Sequence, residues 1–445
     1  MPRAPSTFET RSGRILLKNC PYSSDLCQLH QDIRDFTGFN KRTVTFEIPV
    51  EGRSGAVPAY VNEFWTSRQR AAHSLHEISY RACFKPQLPR FFIELLTRPG
   101  DVVYDPFMGR GTTVLETALR HRIAIGCDLN PISRILVRPR LSPPDLERVA
   151  ERLSEINLSA RVPIRDDLLV FYHRETLEEI CALREYLRRR ESSGERDRVD
   201  DWIRMVAINR LSGHSPGFFS VYSLPPNQAA SIASQQRINT RLNQLPPRRD
   251  IREIILKKTR SLFRDPPYGN ESDLFPSELP DLGNLQHAGG SAHRVLTGSA
   301  DATPELEDGS VNLVVTSPPF LDIVDYAGDN WLRGWFCGLD TKDLDLAVFR
   351  KLDAWSNFMS RVFLEISRIL VPGGFLAFEV GEIRKGSIRL EETVLRLGTV
   401  AGLDAILVLI NDQKFSKTAH CWGVDNRAKG TNTNRIVLFR KSVRS

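Results

Sequence analysis

The stretch from Val102 to Leu119 constrains the fold more than any other part of this chain. Val102-Val103-Tyr104 reads as a short buried strand. Asp105-Pro106-Phe107-Met108-Gly109-Arg110-Gly111-Thr112-Thr113 follows it, and Val114–Leu119 then has a helical pattern. Strand, glycine turn and helix in that order bring backbone N–H groups close to a ligand at a sheet edge. The spacing is not the dinucleotide one, because a third glycine is missing and the turn opens with an acid. A carboxylate at that place repels pyrophosphate and attracts an ammonium or sulfonium group. The next strand, Ile123–Gly126, runs into Cys127-Asp128, where an acid accepts both hydroxyls of a ribose. Asp105 and Asp128 together describe a nucleoside with positive charge at its far end, which fits S-adenosylmethionine rather than NAD.

A second landmark is Ser317-Pro318-Pro319-Phe320, placed where the apolar run Val311-Asn312-Leu313-Val314-Val315 stops. Prolines fix φ and donate no N–H, so the expectation is a rigid lip whose carbonyls and hydroxyl point outward as acceptors. The aromatic ring offers a face on which a planar group stacks. Such a lip suits an exocyclic amine of a base.

Between the landmarks lie helical patterns over Pro143–Leu158 and Thr176–Arg190, then a basic segment over 202–265 and an acidic, turn-rich connector, Glu271–Gly290. Sheet signals resume at Val295-Leu296. An amphipathic helix over Asn357–Leu370 leads to Pro372-Gly373-Gly374, expected to turn the chain into the strand Phe375–Val380, with Ile406–Ile410 and Arg435–Phe439 as the last strands. This pattern implies an α/β, doubly wound, mostly parallel sheet with helices on both faces. An insertion of roughly 150 residues separates its second and third strands. The organisation expected is an N-terminal extension 1–75, a ligand-binding half 76–140, an inserted region 141–294 and a second half 295–445. The extension gives only a weak strand signal, Thr43–Val50.

At 445 residues the chain is long enough for one large domain with an insertion or for two domains. No run of about 20 apolar residues is present, and Met1–Pro5 lacks the apolar core of a signal peptide. Seven scattered cysteines fit free thiols in a reducing compartment, and no spacing supports a metal site. The expected location is prokaryotic cytoplasm, at the nucleoid. Net charge is +7, and Leu211–Arg264 carries nine Lys or Arg against two acids, a difference of seven that equals the whole excess. Among these, Arg237, Arg241, Arg248, Arg249, Lys257, Lys258 and Arg260 are candidate phosphate or base contacts, interleaved with Asn227, Gln228, Gln235 and Gln236. The plain alternative is a solvated surface.

These residues resemble the DNA amino-methyltransferases, which methylate exocyclic nitrogens of cytosine or adenine. The resemblance covers about 76–140 and 295–440 and implies a seven-stranded methyltransferase sheet. It assigns Asp105, Pro106, Phe107, Gly109, Gly111 and Thr112 to S-adenosylmethionine, Asp128 to its ribose and Asp301 to its adenine. His76–Pro89, with Lys85 and Pro86, corresponds to the stretch covering the methionine end. Ser317, Pro318, Pro319 and Phe320 correspond to the catalytic tetrapeptide. A Ser in its first position usually accompanies cytosine N4 activity and an Asp adenine N6 activity. Implied partners are double-stranded DNA, flipped at the target base, and a cognate restriction endonuclease acting on the same site without a stable complex. A monomer is expected, with no membrane contact.

One departure stands out. Asp265-Pro266-Pro267-Tyr268 matches the adenine-type tetrapeptide in text, but it follows Ile254–Leu262, a basic helical run, and no acid stands one short element before it. Asp301 does precede Ser317, by sixteen residues. A turn ending a helix is the reading given to Asp265. Ring-carbon methylation needs a thiolate nucleophile in a Pro-Cys pair, and this chain has none. Adenine N6 methylation, RNA methylation and a non-catalytic DNA-binding module remain the alternatives.

Overall fold

The computed structural model describes residues 26–37, 39, 41–50, 55–65, 72–265, 292–319, 325–340, 349, 351–383, 388–412 and 433–443. Phe320, Pro266–Tyr268 and the connector Glu271–Gly290 lie outside the described residues.

Among the described residues nine strands form one sheet: β1 Val44–Pro49, β2 Ala56–Asn62, β3 Val102–Asp105, β4 Ile123–Asp128, β5 Arg294–Thr297, β6 Val311–Thr316, β7 Leu370–Val380, β8 Leu403–Asp412 and β9 Thr433–Lys441. Their spatial order is β1-β2-β8-β9-β7-β6-β3-β4-β5. The run β7-β6-β3-β4-β5 is parallel throughout, whereas β9 is antiparallel to both β7 and β8. The strand order reverses beside β3, between β6 and β4. Open α/β sheets bind ligands in the crevice outside the carboxyl ends of the strands at such a switch point.

Two expectations need correction. The sheet has nine strands, not seven, and it is mixed. The additional pair comes from the N-terminal extension, where β1 and β2 form a hairpin and β2 runs parallel to β8, Ala59 opposite Val408. Pro58 in β2 masks the strand signal, and the hairpin covers an edge that β8 would otherwise expose. The second correction concerns Pro372-Gly373-Gly374. These residues lie inside β7 and open a register shift against β6 between Val311 and Leu313, with Gly373 at φ +81°. They form a bulge rather than a turn ahead of a strand.

Helices cover both faces. On one, α2 (Gln87–Leu96) and α1 (Leu26–Arg34) bury Leu88, Phe92, Ile93, Leu29 and Ile33 against Val103, Leu313, Val315, Phe375 and Leu438. On the other, α11 (Leu352–Ile369) and α12 (Leu390–Val400) pack Met359, Phe363, Ile366 and Val394 on Tyr104, Val314, Phe378 and Phe439. Between β3 and β4 comes α3 (Thr112–Ala118). The chain after β4 is helical: α4 (Pro131–Leu141), α5 (Leu146–Glu155), α6 (Arg174–Ser192), α7 (Arg198–Ile208), α8 (Ile232–Leu242) and α9 (Ile251–Leu262). Trp202, Ile203, Leu183 and Ile255 lie in a core of its own, to which α10 (Tyr326–Cys337) adds Leu332 and Phe336. The basic run expected to be a helix is indeed α9. It is not only a surface, since Ile251, Ile254, Ile255 and Leu262 are buried. No helix among the described residues is long and apolar enough to cross a membrane.

Candidate active site

The cleft at the carboxyl ends of β3, β4 and β6 is built first by the glycine turn. Gly111 caps α3 at φ +74°, and a Cβ there would stand 2.5 Å from Val137 Cγ2, so α3 and α4 approach only because the side chain is missing. Gly109 takes φ +50° and donates its N–H to Asp128 Oδ2 at 2.8 Å. Asp128 Oδ1 accepts from Asn130 N at 2.8 Å. The turn therefore fixes the acid in place, and each carboxylate oxygen keeps lone-pair capacity for a diol. Burial raises the Asp128 carboxyl above its ordinary range, against the bonds from Asn130 and Gly109.

Asp105 ends β3 and is 1% exposed. Its Oδ1 accepts from Thr316 Oγ1 at 2.6 Å and from Phe107 N at 3.1 Å. Thr316 is the last residue of β6 and the one before Ser317, so one hydrogen bond ties the two landmarks together across adjacent strands. Burial pushes the Asp105 carboxyl up to about 7, opposed by its bonds to Thr316, Phe107 and Thr113. Among the described residues no Lys, Arg or His forms an ion pair with it. A buried acid of this kind is completed by a cation from a ligand.

The cleft encloses about 860 Å³, open space at its mouth included, and its wall contains Asp105, Pro106, Phe107, Gly109, Thr112, Asp128, Ser317, Pro318 and Pro319. Gly111 acts behind that wall through the turn. Tyr80–Phe84 closes one side, and Tyr326 and Phe358 add aromatic surface. The residues fit an S-adenosylmethionine molecule: an unpaired buried acid for a cationic end, an oriented acid for a diol, and apolar walls for the rest.

Three assigned cofactor residues stand elsewhere. Asp301 receives Ser299 Oγ at 2.5 Å and pairs with Arg361 of α11 at 2.8 Å, while Ser299 and Ala300 line the cleft in its stead. Pro86 caps α2 and lines a neighbouring cavity, and Lys85 beside it is outside the cleft wall.

The lip differs from expectation in its acceptors. The Pro319 carbonyl is occupied by Trp355 Nε1 at 3.1 Å, which leaves the Pro318 carbonyl and the Ser317 hydroxyl for a substrate. Glu379 of β7, one residue past the partner of Thr316, is 5% exposed and accepts from Asn434 Nδ2. Sequence reasoning missed Glu379. Its only signal was an acid inside the apolar strand Phe375–Val380.

Asp265 has a different setting. Its Oδ2 accepts from Ser74 N at 2.7 Å, and its own N–H donates to Ser74 Oγ at 3.2 Å. It staples the end of α9 to the turn Ser74–His76 and is absent from the cleft wall.

The basic segment is less free than its count suggested. Arg248 pairs with Glu175 and Glu179 of α6, and Lys258, 11% exposed, lies 3.7 Å from Glu77. Burial, helped by nearby Arg210, lowers the Lys258 ammonium to about 8. Arg249 takes the Thr176 hydroxyl on its backbone N–H at 2.9 Å. Arg237, Arg241, Lys257 and Arg260 are exposed. The neutralising acids come from Glu77, Glu175 and Glu179, outside the window in which charges were counted.

Comparison with known proteins agrees with this geometry. Residues 41–135 match the family model described as DNA methylase. The chain is 26% identical over 304 residues to the Type II methyltransferase M.MvaI of Kocuria varians, covering 65% of this chain and 61% of that protein. It is 23% identical over 296 residues to the Type II methyltransferase M.BsoBI of Geobacillus stearothermophilus, covering 61% of this chain and 54% of that protein. It thus spans less than two thirds of either relative. The matched family segment runs through β3, the glycine turn, Asp128 and the start of α4, the elements that build the cleft. By that match and those relatives, the chain is similar to DNA methylases over the elements that build the cleft.

Proposed function

We propose that the chain transfers the methyl group of S-adenosylmethionine to the exocyclic N4 of cytosine in a specific duplex sequence, as the modification enzyme of a restriction-modification system. The hydrogen bond from Thr316 to Asp105 carries this reading, because it sets an amine-accepting lip directly against an acid suited to a cationic cofactor. The relatives' designation as Type II methyltransferases supports the restriction-modification setting.

Bound in the cleft, S-adenosylmethionine supplies an electrophilic methyl on a sulfonium. Asp105 holds the cationic end and Asp128 the ribose. Ser317 Oγ and the Pro318 carbonyl accept the two N–H bonds of the target amine. Those bonds favour a pyramidal nitrogen and strengthen as positive charge grows on it. Phe320 is assigned the stacking face. Trp355 keeps the lip fixed through Pro319, which would hold the target amine in place for transfer. The chain's own residues need no strong base, since the proton leaves after the nitrogen has become cationic.

Adenine N6 is the second reading, and Glu379 favours it by placing a carboxyl group on the neighbouring strand beside the first position of the tetrapeptide. Methylated duplex DNA hydrolysed to nucleosides and separated by mass decides between them. N4-methylcytosine is the expected product, and N6-methyladenine alone would reverse the assignment.

A further inference from the structure

A second cavity shares Tyr80 with the cofactor cleft, and the transfer chemistry above does not use it. It takes in about 1240 Å³, open space at its mouth included. Its wall contains Arg110, Arg210, Lys258, Phe218 and Asn227, with Glu77 as its one acid among the described residues.

Arg210 follows the end of α7 and stands one residue before the segment in which cations were counted. Its Nε donates to the Asn209 carbonyl at 2.7 Å, and its guanidinium lies 4.1 Å from the centre of the Phe218 ring. Two local devices fix that stack. Phe219 N donates to the Arg210 carbonyl at 2.8 Å. Gly213 leaves room for Phe218, since a Cβ there would stand 2.5 Å from its Cδ2. The two terminal nitrogens of the guanidinium have no protein partner among the described residues. Burial lowers the guanidinium to about 10, helped by the charge of Arg333, and no acid opposes the shift.

Asn227 is equally unengaged. Its Oδ1 is buried without a hydrogen-bond partner, and its Nδ2 makes no bond among the described residues. The segment that carries it is anchored, because the Pro226 carbonyl accepts from Arg333 Nη2 at 2.9 Å. The other cations of the wall are occupied. Arg110 donates to the Ile78 carbonyl at 2.9 Å and to Thr112 Oγ1 at 3.3 Å. Lys258 lies 3.7 Å from Glu77, which Arg264 also reaches at 2.8 Å. One acid thus serves two cations, and the wall keeps an excess of positive charge.

We propose that this cavity is a phosphate-binding site, in which the terminal nitrogens of Arg210 donate to two phosphate oxygens and Asn227 Nδ2 adds a neutral donor. Lys258 and Arg110 contribute positive potential without leaving their partners. A guanidinium fork matches two oxygens of a tetrahedral oxyanion, and Phe218 holds that fork in one plane. A largely buried cation without a counter-charge is costly until an anion joins it. Two sources supply this chemistry: an internucleotide phosphate of bound DNA, and a free phosphate.

The test uses the full chain and inorganic phosphate, titrated against chloride at constant ionic strength and followed by phosphorus-31 relaxation. The parent should bind. Arg210→Gln should weaken binding by about tenfold or more, and Asn227→Ala by about threefold. Arg210→Lys keeps the charge but loses the fork, so it should recover only part of the affinity. Asn227→Ala removes a side chain that makes no hydrogen bond and leaves the fold intact. An S-adenosylmethionine affinity close to the parent's, measured by calorimetry, checks folding in each variant. The salt dependence of duplex binding then identifies the source. A slope shallower by about 0.9 in Arg210→Gln means a DNA backbone phosphate, and an unchanged slope means a free one. No phosphate binding by the parent, or equal binding by the parent, Arg210→Gln and Asn227→Ala, would overturn the proposal. None of these readouts requires methyl transfer, so failure of this site and failure of the proposed function are told apart.

Discussion

Ser317 and Asp265 head two runs that differ in only their first and last residues, Ser-Pro-Pro-Phe and Asp-Pro-Pro-Tyr. Their surroundings have almost nothing in common. Ser317 follows a central parallel strand whose last residue bonds to Asp105, and the Trp355–Pro319 bond holds the lip two residues further on. Asp265 follows a helix and spends its carboxylate on the backbone N–H of Ser74. A tetrapeptide of this kind has chemical meaning only where a sheet edge aims it at a second ligand site. The more acidic of the two runs is the one whose acid is used up in holding a helix end.

That contrast is sharpened first at the lip. Ser317→Ala removes an acceptor that matters most in the transition state, so kcat should fall by about 10²–10³-fold, while affinities for cofactor and DNA stay within twofold or so of the parent. Steady-state kinetics beside calorimetric binding measures the split. A large change in either affinity would mean that Ser317 serves binding instead.

The next effect belongs to Asp105. Its folded pKa, about 7, lies above the ordinary carboxyl value, so the empty protein is favoured by protonation at low pH and loses that stability as pH rises through 7. A cationic ligand requires the ionised form. Cofactor affinity should therefore increase between pH 5.5 and 7. Asp105→Asn should weaken it by about 10–100-fold at neutral pH and flatten the dependence. Calorimetry across that range checks both, and a steep dependence surviving in Asp105→Asn would remove Asp105 from the cation's side.

Trp355→Phe frees the Pro319 carbonyl and should cost about 1 kcal/mol in positioning, or roughly fivefold in kcat. Full activity would show that the prolines alone hold the lip.

The smallest expected change separates free from paired cations. Replacing exposed Arg237 and Arg241 by alanine should flatten the salt dependence of DNA binding by about 0.9 for each phosphate no longer neutralised. Replacing Arg248 and Lys258, already paired with acids, should change it less. Titrations at several salt concentrations compare the two, and equal slopes would mean that the ion pairs open on DNA.

Much of the fold was legible because it rests on local chemistry. Val102–Thr113 announces a strand, a turn and a helix through its apolar run and its two glycines, and the helices α5, α6, α9 and α11 follow their periodicity. What failed depends on distant partners. Pro58 hid β2, whose pairing with β8 joins residues more than 300 positions apart. Pro372-Gly373-Gly374 reads as a turn by composition, and only the register against β6 makes it a bulge. The candidate site divides in the same way. Asp105, Asp128 and Ser317–Pro319 line one cleft, while Asp301 is drawn off by Arg361 and Arg248 by Glu175 and Glu179, pairings no window of sequence displays. Glu379 went unnoticed because an isolated acid in a strand carries no spacing signal.

The most direct measurement is methyl transfer to one duplex DNA by Ser317→Ala and Asp265→Ala, with the product nucleoside identified by mass. The expected result is N4-methylcytosine from the parent and near-complete loss of transfer for Ser317→Ala. Asp265→Ala should keep turnover within about tenfold of the parent, because the acid it removes lies outside the cleft and contributes at most indirectly. Loss of transfer in Asp265→Ala with Ser317→Ala intact, or N6-methyladenine as the product, would contradict the placement of catalysis at the end of β6.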